Sequence, residues 1–265
     1  ASPIDYVTNE YLWSSSLTYL TRDMAIPPER VFYFISTSCL FMFALVTLLR
    51  AGPVYALLLI NPLVVDFAFS QLRLALAISI LLLALLLRRI PPLALAIAAL
   101  SLLIHTASII FIALYLLAEW LPSVDRNKRF AISTPAILLA AGAAIAVATG
   151  PAREMILSAV GDRRVEYPNM SSSLFYLSFW VFNWGLFLTS IKRFFASTDQ
   201  RFAFAVLSIV AFNLLFAGYS TRFIAAIFPF LIISASRFTG WQSLAIKAAF
   251  PLYSLIQWLF WIRVF

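Results

Sequence analysis

Much of what usually carries chemistry is scarce in this sequence: it has one cysteine, one histidine, seven glycines, and charged residues at only 11% of its 265 positions. The lone cysteine, Cys39, has no partner for an internal disulfide, and its place inside an apolar run reads as a buried spectator. With no second histidine and no cysteine partner, the lone histidine, His105, argues against a metal site. There is no Walker loop, no G-x-G-x-x-G, no G-x-S-x-G and no H-E-x-x-H. ATP-driven transport, dinucleotide chemistry and elbow-type serine hydrolysis therefore have no support, and neither a metal nor a cofactor is expected. The charge content is about half that of an ordinary soluble domain of this size.

Apolar residues make up 63% of the chain. A soluble core has no room for this much Leu, Ile, Phe and Ala, so lipid must be the solvent for much of the surface. Runs such as Val31 to Leu49 and Phe202 to Ala217 approach the ~17–25 residues that a bilayer demands of a helix. They are apolar on every face, unlike the ~10-residue alternating segments of a barrel. The expected fold is all-α, a polytopic helical bundle forming a single transmembrane domain over 1–265. About eight or nine spans are expected, with candidates at 31–49, 53–69, 72–87, 92–120, 131–149, 174–191, 202–217, 222–236 and 248–264. Residues 1–30 are polar and aromatic, and Ile4, Val7 and Tyr11 share a helical face, so part of this stretch is expected to lie in the interface. The first residue is Ala1 rather than Met, which predicts missing upstream sequence. The segment that follows is too polar for a signal peptide.

Orientation follows from the basic turns, since the chain carries a net charge of +8 and short basic loops favour the cytoplasm. Arg50, the pair Arg88 and Arg89, the cluster Arg126, Lys128 and Arg129, the pair Lys192 and Arg193, and Arg237 serve as inside markers. The stretch 92–120 resists this scheme. At about 29 residues it is too long for one untilted span and short for two. A hairpin or re-entrant pair turning near His105 restores the alternation; the alternative is one long tilted helix. With the hairpin, residues 1–30, Arg73, the His105 turn, the loop 150–173 and the turn Gly218 to Arg222 share the non-cytoplasmic face. Arg73, Arg153, Arg163, Arg164 and Arg222 then violate the positive-inside trend together. Five arginines on one face point to an anionic ligand such as phosphate, which a guanidinium grips with a bidentate fork.

Each candidate has a plain structural alternative. Arg73, in Ser70-Gln71-Leu72-Arg73-Leu74-Ala75, stands at a helix start where its charge opposes the macrodipole. It either snorkels to the interface or contacts phosphate together with the helix amides. His105 is either an interhelical hydrogen bonder or a proton-transfer or phosphate-contact group. Arg222, in Tyr219-Ser220-Thr221-Arg222-Phe223, repeats the Arg73 arrangement. Asp66 is either an ion-pair partner, for example of Arg73, or an acid that activates a hydroxyl. Asp5, Glu10 and Asp23 are acids preceding the first span. Asp162, Arg163, Arg164 and Glu166 read by default as a solvated cluster, and Tyr167-Pro168 as a turn that shapes a lid. Asn169-Met170-Ser171 matches a glycosylation sequon, a pattern too short to carry weight.

The order of these features resembles a known family. Pro3-Ile4-Asp5-Tyr6 precedes a span and a helical hairpin; Gln71-Leu72-Arg73-Leu74-Ala75 starts a helix; a basic turn follows, then Leu102-Leu103-Ile104-His105-Thr106-Ala107-Ser108. This is similar to the EpsG-like branch of bacterial polysaccharide polymerases, related to the Wzy polymerases. Its members resemble one another in an Arg-Gln-x-x-Ala helix start with a His-x-Ser-like turn about thirty residues later. Here the glutamine stands before the arginine, at Gln71. The segment around Arg222 looks like the family's late arginine segment, and the likeness covers roughly residues 2–120. The resemblance implies a metal-independent glycosyltransferase of the bacterial cytoplasmic membrane. It would join oligosaccharide repeat units carried on undecaprenyl pyrophosphate, at the periplasmic or outer face. Arg73 and Arg222 would hold the pyrophosphate, His105 would contact phosphate or relay a proton, and Asp5 or Asp66 would deprotonate the acceptor. Gln71, Arg163, Arg164, Tyr219 and Tyr6 would line the substrate site. Expected partners are the lipid-linked oligosaccharide, membrane lipid and polysaccharide-assembly proteins such as a chain-length regulator; no nucleic acid is expected. The competing readings are an O-antigen-ligase-like transferase, a transporter or flippase for lipid-linked glycans, and a structural subunit of an envelope assembly. No inverted repeat of the transporter kind is visible.

Overall fold

The computed structural model describes residues 10–122, 133–159, 174–190, 195–216 and 221–264. Among the described residues the regular structure is helical, with no strand. The helices are α1 (Tyr11–Thr18, continued by a π-helical turn Tyr19–Asp23), α2 (Pro28–Ala51), α3 (Pro53–Ala56, extended by a 3-10 turn Leu57–Leu59), α4 (Pro62–Ser70) and α5 (Leu72–Leu86). They continue with α6 (Pro91–Ile104), α7 (Ser108–Trp120), α8 (Ser133–Thr149), α9 (Arg153–Ala159) and α10 (Leu174–Thr189). The last four are α11 (Thr198–Phe216), α12 (Thr221–Ala226), α13 (Phe228–Ala235) and α14 (Gly240–Val264). Two compact units result, residues 1–113 with 257–265, and residues 114–256.

Among the described residues three helices are long and apolar enough to cross a membrane: α2, α11 and α14. The number rises to five if each of two bent pairs counts as one span, α3 with α4 (61°) and α8 with α9 (70°). The apolar helices α5, α6 and α7 are shorter. Several expected spans are therefore interrupted. The stretch 53–69 breaks at Ile60 and Asn61, where the Asn61 side chain caps α4 by accepting from the Leu63 amide at 2.9 Å. The stretch 222–236 is two short helices joined at Ile227, with Pro229 in the first turn of the second. The stretch 92–120 is not one continuous helix: it leaves helical geometry at His105 and re-enters at Ser108. The expected loop 150–173 opens with α9, and its remainder lies outside the described residues.

In the first unit α2 packs on α4 and α5, and α6 packs on α5 and α1. Val31, Ile35, Cys39, Phe43 and Val46 recur at helical spacing and form the buried face of α2. Phe43 stacks on Phe67 of α4, and the Ser36 hydroxyl donates to the Ala68 carbonyl at 2.8 Å. Ala75, Ala77 and Ser79 keep α5 thin enough for close approach. The opposite face of α2 exposes Tyr33, Phe34, Phe41 and Leu48, a pattern suited to lipid rather than water.

In the second unit α11 is the axis, buried continuously from Asp199 to Val210 and packed against α8, α10 and α13. A helix apolar all round belongs in a core or a membrane. Gly142 allows α8 its close approach: a Cβ there would lie 2.6 Å from Ser208 Cβ and 3.0 Å from the Ala205 carbonyl oxygen. Ser208 in turn accepts from Trp184 Nε1 at 3.1 Å. Trp180 of α10 donates to the Tyr253 hydroxyl at 3.0 Å within a cluster of Phe179, Phe228 and Phe250.

Candidate functional site

Three distant segments of the first unit converge on one carboxylate. Glu10 precedes α1, and only 6% of its side chain is exposed. One oxygen, Oε2, accepts from Arg73 Nη1 at 2.5 Å. The other, Oε1, meets His105 Nδ1 at 2.5 Å and accepts from the Thr106 hydroxyl at 3.2 Å and the Thr106 amide at 3.4 Å. The Glu10 backbone is left-handed, with φ 52° and ψ 44°, a conformation that costs a non-glycine residue roughly 1–2 kcal/mol. The four contacts to its side chain are what sustain that conformation.

Each partner is presented by a helix end. Gln71 closes α4 and starts α5, and its carbonyl accepts from the Ala75 amide at 2.8 Å. Arg73 is thus in the first turn of α5, with half of its side chain exposed. His105 ends α6 in an extended conformation, with φ −152° and ψ 115°. Two serines make that break tolerable in an apolar setting. The His105 carbonyl accepts from both the Ser108 amide at 3.0 Å and the Ser108 hydroxyl at 2.7 Å, and Ser101 Oγ lies 3.4 Å from Ser108 Oγ. The His105 side chain is 16% exposed.

Glu10 lies outside the membrane-spanning helices. Its burial is the largest single influence on its carboxyl and pushes the pKa up. The hydrogen bond and charge of His105, the Arg73 guanidinium and the Thr106 amide together outweigh that burial and lower the pKa from 4.5 to about 2. A folded-state value below the unfolded one stabilises the fold above pH 4.5, and the benefit is lost as pH falls through about 2. The gap corresponds to at most roughly 3 kcal/mol. In detergent, the thermal-stability advantage of the wild type over Glu10→Gln should shrink as pH falls below 4.5 and be about half gone near pH 3. An advantage that does not change with pH would show that the carboxylate is not held by these partners.

Of the residues expected at a site, the structure brings Arg73 and His105 together. The carboxylate beside Arg73 is that of Glu10, not Asp66, which is exposed on α4 seven residues before Arg73 and across the helix junction at Gln71. Gln71 is half-buried at that junction, and its side chain stays out of the cluster. Arg222 is exposed in the first turn of α12, in the second unit, and Arg153 starts α9. Asp5, Tyr6, Arg163, Arg164 and Tyr219 lie outside the described residues. Sequence reasoning missed Thr106 as a contact and treated Glu10 as one of several acids. Also missed was Arg201, buried at the start of α11. Among the described residues no group of three His, Cys, Asp or Glu side chains gathers as metal ligands.

These features define the class of the molecule: a helical protein with helices long and apolar enough to cross a membrane, and a carboxylate–arginine–histidine cluster at the ends of three of its helices. Comparison with protein-family models, with curated proteins and with solved structures finds no match.

Proposed function

We propose that this chain is a bacterial polysaccharide polymerase. It crosses the cytoplasmic membrane eight or nine times and joins oligosaccharide repeat units carried on undecaprenyl pyrophosphate at the periplasmic or outer face. The observation that carries this reading is the convergence of Arg73 and His105 on Glu10. They are two of the residues that carry the likeness to the EpsG-like polymerases, and they lie 32 positions apart in the chain. Their meeting supports a shared role.

The chemistry asked of the site is glycosyl transfer. An acceptor hydroxyl oxygen bonds to the anomeric carbon of the donor as the bond from that carbon to pyrophosphate breaks. The electron pair leaves with the pyrophosphate oxygen, and the hydroxyl proton passes to a base. Arg73 supplies fixed positive charge where negative charge develops on the leaving group. Glu10 engages one end of its guanidinium, and the half-exposed remainder is available to phosphate.

The test is lengthening of a purified undecaprenyl-pyrophosphate oligosaccharide by the protein in liposomes, without other proteins. A ladder of products separated by one repeat unit is expected. Transfer of a single finished chain to a different acceptor would make the protein a ligase. Movement of intact donor across the bilayer without bond formation would make it a flippase. Either result would end the polymerase reading.

A further inference from the structure

The Glu10 carboxylate is ionised at neutral pH and has only acceptors to offer. Arg73 Nη1 is a donor, so the Oε2 contact is a charged hydrogen bond. At the other oxygen, 2.5 Å from His105 Nδ1, the shared hydrogen has to be the one on Nδ1, because the carboxylate carries none. The ring is thereby fixed as the Nδ1–H tautomer, and Nε2 keeps a lone pair in the neutral form. Among the described residues, the charged groups facing this ring are Glu10 directly and Arg73 across the same carboxylate. Nε2 has no protein partner among the described residues.

We propose that Glu10 is a positioning residue which sets the His105 tautomer and ring orientation, so that His105 Nε2 takes the proton of the attacking sugar hydroxyl. This rests on the polymerase reading for the identity of the hydroxyl, and chooses between the two roles open to His105. The hydroxyl oxygen forms the glycosidic bond, its proton moves to Nε2, and the pyrophosphate leaves with the electron pair of the broken bond. Glu10 then faces an imidazolium and stabilises it without taking the proton itself. The ring returns its proton to water once the product has left.

Two acceptor oxygens are essential to this arrangement, because Glu10 receives from Arg73 at one and from His105 at the other. A glutamine offers one acceptor and one NH2 group. In Glu10→Gln the charged arginine, the strongest of the donors, takes the amide oxygen; the NH2 group then faces Thr106, whose hydroxyl can turn to accept, and His105, whose Nδ1 is forced to become an acceptor. The ring proton then moves to Nε2 and blocks the proposed base.

His105 is the only histidine in the chain, so labelling with [15N]histidine gives the ring nitrogens of this residue alone. The full chain in lipid nanodiscs near neutral pH should show a protonated Nδ1 and an unprotonated Nε2. Glu10→Gln should exchange the two and lower kcat about 100-fold, while KM for the lipid-linked donor changes less than about threefold. Glu10→Asp keeps both oxygens and should restore the wild-type tautomer with part of the rate. A protonated Nε2 in the wild type, whether in the neutral ring or the cation, overturns the proposal without need of any variant. So does a Glu10→Gln enzyme with wild-type kcat. If the wild type lengthens no chain, the polymerase reading fails and the hydroxyl is lost as the proton source. The spectrum alone then decides whether Glu10 positions the ring.

Discussion

Replacing Arg73 by alanine is expected to lower polymer formation about 10³-fold in a protein that still folds. Removing one preorganised donor from a site of developing charge typically costs 10²–10³, and an arginine that neutralises a departing phosphate can be worth more. The geometry separates this effect from misfolding. Arg73→Ala strips one of the four contacts from Glu10 and leaves those to His105 and Thr106 in place. Breaking a wholly buried pair costs about 3–5 kcal/mol, but half of the Arg73 side chain is exposed, so about 1–2 kcal/mol is the fitting scale here. A loss of that size leaves the fold populated while the rate collapses. Arg73→Lys keeps the charge and loses the planar fork, and should fall between the two. The measurement is initial rate and product length from the lipid-linked donor, alongside thermal unfolding of each variant in the same detergent. Normal polymer length and rate from a folded Arg73→Ala would remove Arg73 from the chemistry and leave it as a structural counterion to Glu10.

What the sequence revealed and what it hid have separate physical causes. The helices were legible because a bilayer demands long apolar runs, and α2, α5, α8 and α11 fall close to the expected stretches. Length left 92–120 open as a hairpin or one long tilted helix, and the alternation of basic turns favoured a break near His105. The interruptions at Asn61 and Ile227 carry local signals, an asparagine cap before Pro62 and a proline at 229, which a hydropathy window averages away. Arg73 and His105 stood out because an ionisable group in an apolar run is costly wherever it lies. Glu10 did not, because it sits in a polar segment where an acid costs nothing in isolation. It acquires meaning only from partners 63 and 95 residues downstream, a pairing that no local pattern encodes. Asp66 attracted notice for its apolar neighbours, yet it is exposed on α4.

Arg201, one residue before the expected stretch 202–217, is buried, and its removal should produce the largest loss of stability. Only 5% of the residue is exposed. Its Nε donates to the Ala118 carbonyl at 2.6 Å, Nη1 to the Phe195 carbonyl at 2.8 Å, and Nη2 to the Thr198 hydroxyl at 3.3 Å. Ala118 lies in the last turn of α7, where helix carbonyls lack intrahelical partners, so the guanidinium caps that helix while it ties down the chain entering α11. Asp199 nearby is itself buried, and Arg237 Nη2 lies 3.7 Å from its carboxylate. Arg201→Ala is expected to cost about 3–5 kcal/mol, since it orphans two buried carbonyls and empties the space of the side chain. Arg201→Met refills most of that space without donors, which separates packing from hydrogen bonding. If the donors dominate, Met should recover less than half of the loss. Equilibrium unfolding in mixed detergent micelles gives both values. A methionine variant as stable as the wild type would mean that the guanidinium fills space and that the hydrogen bonds to Ala118 and Phe195 only offset its desolvation.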